Sequence, residues 1–119
     1  MLPIRRDVFL EYASPNKLAE YIIMGKPVII SRLRAIQYYF GDSALAFFEP
    51  NDAADLARQM VNIFRNPELR HTMPAQAKME YAPIRWEIMK QRYLSLMEAI
   101  TLPALRTSGK SHVATNPKP

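Results

Sequence analysis

A chain of 119 residues, 49% of them apolar, has room for one small core and is too hydrophobic for global disorder. Without cysteine it holds neither a disulfide framework nor a thiolate metal site. Its two histidines, His71 and His112, lack acidic companions at ligand spacing, which argues against zinc. The net charge of +5 is uneven: seven basic residues balance seven acidic ones through Met60, whereas nine face four from Val61 onward. A basic half suits anionic lipid, nucleic acid or acidic sugars, although a solvated helix face and a charged tail explain it more simply. No apolar stretch is long enough to span a bilayer, and no secretory pattern follows Arg5 and Arg6. With the lack of cysteine this predicts a cytoplasmic chain, for which peripheral contact with the inner face of the membrane is compatible.

Met1-Leu2-Pro3-Ile4 reads as the tail of a strand that begins upstream. A helix is expected from Ser14 to Gly25, with Ser14 as N-cap, Pro15 in the first turn and Gly25 ending it in a left-handed turn; Leu18, Tyr21 and Ile22 form its inward stripe. Val28-Ile29-Ile30, β-branched without alternation, predicts a strand of a parallel sheet buried on both faces. A short helix over Ala35 to Phe40 leads to a second strand at Leu45 to Phe48. Asp52, with Asp55 three residues on, should cap a helix whose buried side carries Leu56, Met60, Ile63 and Phe64. Another helix is expected over Glu68 to Tyr81. A last one after Pro83 carries Trp86, Met89, Tyr93, Leu96, Met97 and Ile100 on one face, with Trp86 expected in the core. From residue 102 onward the composition predicts a disordered tail. Ser108-Gly109-Lys110-Ser111 imitates the end of a P-loop, but Ala104 stands where its first glycine belongs.

The order of elements predicts an α/β fold, an incomplete Rossmann-like half-domain over residues 1–101 with short parallel strands and C-terminal helices. Two or three short strands need neighbours, so further strands are expected upstream.

The chemistry concentrates at Ser14-Pro15-Asn16-Lys17-Leu18-Ala19-Glu20. A helix start offers unpaired amides and the positive end of a dipole, a natural anion site. Pro15 has no N–H, leaving Asn16, Lys17 and Leu18 as donors, with the Lys17 ammonium at the same mouth. Glu20 shares the face of Asn16 and Lys17 and could accept hydrogen bonds from ribose hydroxyls. Taken alone, Lys17 and Glu20 read more simply as an exposed pair on an ordinary helix, since such pairs are common. Arg32 and Arg34 follow the first strand, where α/β folds bind ligands.

The run from Pro15 to Tyr21, followed by Met24-Gly25-Lys26-Pro27-Val28-Ile29, resembles the donor-site signature of family 4 (group 1) retaining glycosyltransferases of the GT-B fold. The likeness continues through Phe40-Gly41-Asp42, Ala46 to Ala57, Asn66 to Arg70, Trp86 and Tyr93. The resemblance implies the C-terminal portion of a hexosyltransferase-like enzyme that moves a sugar from a nucleotide-sugar to an acceptor without a metal or cofactor. It implies that Asn16, Lys17 and Leu18 hold the diphosphate and Glu20 the ribose; Tyr12, Ser14 and, from its place after the strand, Arg32 are further candidates for donor contact. Such enzymes carry two glutamates separated by seven residues; Tyr12 stands at the first position here, and the adjacent Glu11 is not assumed to replace it. The partners implied are a nucleotide-sugar and an N-terminal acceptor domain, with no nucleic acid. By that resemblance, this chain alone would not turn over. The competing reading is a non-catalytic interaction module derived from such a domain.

Overall fold

Pro27 keeps the chain extended after the preceding helix, and the stiff residues that follow continue into β1 (Ile29–Ser31). In the computed structural model, which describes residues 1–108 and side chains through 102, β1 pairs in parallel with β2 (Ala46–Phe48), Ile29 opposite Ala46 and Ser31 opposite Phe48. The opening segment lies along the other edge of β1 through a parallel bridge from Leu2 to Ile30. The Leu2 amide donates to Ile29 O (2.8 Å), the Ser31 amide to Leu2 O (3.2 Å), and the Ile4 amide to the fully buried Ser31 Oγ (2.7 Å). With chain on both sides, β1 is central, which is why its apolar run does not alternate. The architecture is therefore mixed α/β around a small parallel sheet.

Helix α1 spans Asn16–Ile23 and buries Leu18 and Ile22. It ends as the sequence predicts. Gly25 takes a φ of 68°, the Lys26 amide donates to Tyr21 O and the Gly25 amide to Ile22 O, closing a Schellman motif. Its start differs. Pro15 is extended (ψ 132°) and serves as N-cap, and Ser14 makes no cap bond. The first turn closes on the Pro15 carbonyl, which accepts the Leu18 amide at 3.0 Å.

Helix α2 (Arg34–Tyr39) buries Ile36 and leaves Tyr38 and Tyr39 exposed, their rings edge to face at 4.9 Å. Helix α3 (Ala53–Arg65) is capped by Asp52, whose carboxylate accepts the Asp55 amide at 2.9 Å. Asp55 does not reach back to the cap. Its Oδ2 takes the Glu49 amide at 2.8 Å and so ties the Glu49-Pro50-Asn51 turn to the helix. The predicted buried side of α3 is partly wrong: Ile63 is buried, but Met60 and Phe64 are exposed. The half-buried Leu56 and Gln59 share a face with Ile63, and it is this face that meets the sheet.

Helix α4 (Pro67–Tyr81) buries Met73, Pro74 and Ala77 and packs on α1 and α3. Arg70 Nη1 donates to Ile63 O (2.9 Å), satisfying a terminal carbonyl of α3. Glu80 accepts the Gly41 amide at 2.8 Å and holds the α2–β2 connection.

Residues from Ile84 onward form a separate unit, whose helix α5 runs from Trp86 to Ser108 and so continues beyond residue 101, where the apolar period stops. The rest of the predicted tail, and all but the first residue of the P-loop-like run, lie outside the described residues. Trp86 is 69% exposed rather than core, because an amphipathic period shows only that a face is apolar, not that anything covers it. No helix among the described residues is long and apolar enough to cross a membrane.

The amide of Glu49 donates to Asp55 and lowers its carboxyl pKa below the ordinary 3.8; burial opposes this, and nearby Arg58 and Arg32 add to it. A lowered folded-state value means that ionised Asp55 stabilises the fold above about pH 4 and that this contribution is lost as pH falls through the folded-state value. Asp55→Asn is expected to melt below the wild type at pH 7, with the gap narrowing as pH falls below about 4. Parallel thermal melts check this, and a gap that widens on acidification would contradict it.

Candidate functional site

Leu33 follows β1 in extended conformation and is fully buried. Alternation then sends Arg32 and Arg34 to the opposite side, beyond the carboxyl end of the sheet. A 3-10 turn at Leu10–Tyr12 faces them. Asp7 organises that turn, its Oδ1 accepting the amides of Phe9 and Leu10 at 2.8 Å each. Between them opens a cleft of about 570 Å³, lined by Arg6, Asp7, Glu11, Tyr12, Arg32 and Arg34, with Val8 and Gln37.

Most of the charges in this cleft are held in place. Glu11 pairs with Arg6 Nε at 2.7 Å and accepts the Arg34 amide at 3.1 Å, so it caps α2 and fixes Arg6 together. Arg6 Nη2 donates to Arg32 O at 3.2 Å. Arg32 reaches Glu49 (3.1 Å) and Asp42 (3.5 Å) and lies 5.2 Å from the centre of the Phe47 ring. Arg34 has an exposed side chain and forms no ion pair among the described residues. Three guanidinium groups line the cleft with two carboxylates, and Glu49 and Asp42 compensate Arg32 from beside it, so Arg34 is the lining cation that keeps an uncompensated charge among the described residues. Guanidinium forks match phosphate oxygens bidentately, and the 71%-exposed Tyr12 ring offers a stacking surface.

Of the sequence candidates, the fold brings Tyr12 and Arg32 together in this cleft. Ser14, Asn16, Lys17 and Glu20 are exposed and line neither this cleft nor two smaller ones of about 260 and 250 Å³. The amides of Asn16 and Lys17, in the first turn of α1, have no acceptor within the helix. The Leu18 amide is not free, since Pro15 O holds it, and its side chain is buried. This corrects its expected role as an anion donor.

Glu11 has both oxygens engaged by Arg6 and by the α2 amide, so it acts in the frame of the cleft and not as a free sugar ligand. Arg6 had no readable signal beyond its charge. Asp7, as a turn-forming residue ahead of a short apolar run, is the feature that could have located the 3-10 turn.

No family model matches the chain, and neither a curated protein nor a solved structure matches it.

Proposed function

We propose that this chain supplies the donor-nucleotide part of a glycosyltransferase site, for a reaction that moves a glycosyl group from a nucleotide-sugar to an acceptor. The observation that carries the reading is the arginine-lined cleft, with Arg34 unpaired among the described residues, beyond the carboxyl end of a parallel sheet, the place where α/β folds hold nucleotides. It takes in Tyr12, at the position of the family's first glutamate, and Arg32, which follows the first strand. The first turn of α1 begins four residues after Tyr12, at most about 14 Å along an extended chain, so one nucleotide-sugar can touch both. In this arrangement Arg32, Arg34 and the Asn16 and Lys17 amides neutralise the diphosphate, with the Lys17 ammonium beside them. Fixed cations of that kind stabilise the charge that develops on a leaving diphosphate, without need of a metal. Glu20 receives the ribose, and an acceptor domain completes the active site.

A second reading, a non-catalytic interaction module, is favoured by one observation: Glu20 lies outside the three clefts, and a tyrosine occupies the first glutamate position. Calorimetric titration with uridine, guanosine and adenosine diphosphates separates the two. The donor-site reading expects saturable binding of at least one of them, weakened roughly tenfold by Glu20→Ala through loss of a charge-assisted hydrogen bond. A folded sample that binds none of the three would leave the interaction module standing.

A further inference from the structure

Helix α5 carries Trp86, Met89, Tyr93, Leu96 and Ile100 at alternating spacings of three and four, a stripe along its length, with the exposed Leu94 and Leu102 outside it. The five are 69, 40, 61, 58 and 59% exposed, so the described residues of its own unit leave the stripe uncovered. With Met97 it occupies about 100° of the circumference at ~3.6 residues per turn. Lys90 falls at one edge of the stripe, next to Met97, and Arg92 at the other, next to Leu96. Glu87 and Glu98 fall on the far side. From Ile84 onward the sequence holds Arg85, Lys90, Arg92, Arg106, Lys110 and Lys118 against only those two acids, and so carries +4 of the chain's +5.

We propose that α5 docks in the plane of an anionic lipid bilayer, with the stripe at the headgroup boundary and Lys90 and Arg92 reaching to lipid phosphates. Indole and phenol rings have an apolar body and a polar tip, which suits Trp86 and Tyr93 to that boundary. Lysine and arginine at the edges of the stripe can lay their stems along acyl chains while their charges stay at the surface. The acids on the far side remain in water. Charge argues against a second copy of this helix as the occupant: a two-helix seam along the stripe would flank it with Arg85, Lys90 and Arg92 from both copies, and like charges would face one another. This inference is independent of the donor-site reading, since it uses no residue of the cleft.

Trp86 is the only tryptophan in the chain, so its emission reports on α5 alone. The experiment titrates the full chain with phosphatidylcholine vesicles containing about a third phosphatidylglycerol, with pure phosphatidylcholine vesicles, and without lipid, reading Trp86 emission and co-sedimentation. A blue shift and co-sedimentation are expected with the anionic vesicles only, weakening as salt is raised. K90E/R92E, checked for unchanged helicity by circular dichroism, should partition more weakly by at least about thirtyfold, the loss of two cations alone, while E98Q should not be weakened. No shift with anionic vesicles overturns the proposal, and so does equal binding to neutral ones or undiminished binding by K90E/R92E. A blue shift without lipid that grows with protein concentration overturns it in favour of self-association.

Discussion

Ile30→Ala should destabilise the Met1–Pro83 unit by about 3 kcal/mol, the usual cost of removing most of a fully buried β-branched side chain. Ile30 is the middle residue of the central strand, opposite Phe47 on one side and bridged to Leu2 on the other. A cavity there loosens both edges of a sheet too small to redistribute the loss. Domains of this size have about 5–15 kcal/mol in all, so the variant would keep only a fraction of its stability. The lone tryptophan sits in α5 and is a poor reporter on this unit. Urea unfolding should therefore be followed by far-ultraviolet circular dichroism and by exchange protection of the β1 and β2 amides. A loss under 1 kcal/mol would mean that the strand is not the centre of the core.

The second large effect concerns the cleft. Arg34→Ala is expected to weaken nucleoside diphosphate binding by about tenfold to a hundredfold, the range for charge-assisted hydrogen bonds to phosphate. Its guanidinium is exposed and forms no ion pair among the described residues, so stability should hardly change. Arg32→Ala makes the contrast. It should weaken binding and also lower stability, because Arg32 contacts Glu49, Asp42 and the Phe47 ring. Titrations of both variants beside their denaturation curves check the pair. Equal affinity of Arg34→Ala and wild type would remove Arg34 from the site, and with it the electrostatic case for this cleft.

The sequence alone determined what depends on neighbours along the chain. Gly25 after an apolar stripe, Asp52 before one and Pro27 ahead of a β-branched run act within a turn or two, and the helix end, the helix cap and the strand they predict are all present. Parallel pairing was legible too, because Val28-Ile29-Ile30 has no polar side to give to water.

Only the tertiary structure decided which faces are covered and which charges meet. Met60, Phe64 and Trp86 keep the period of buried positions yet stand exposed, since periodicity orients a face without supplying its partner. The start of α1 moved by one residue because Pro15 fits the cap as well as the first turn, and the Leu18 amide is taken by the Pro15 carbonyl in a tight first turn. The cleft itself joins Arg6, Glu11 and Tyr12 to Arg32 and Arg34 across some two dozen positions. No local rule reaches that far: the sheet brings these residues together by pairing Leu2 with Ile30, and electrostatic attraction then acts on side chains already made neighbours.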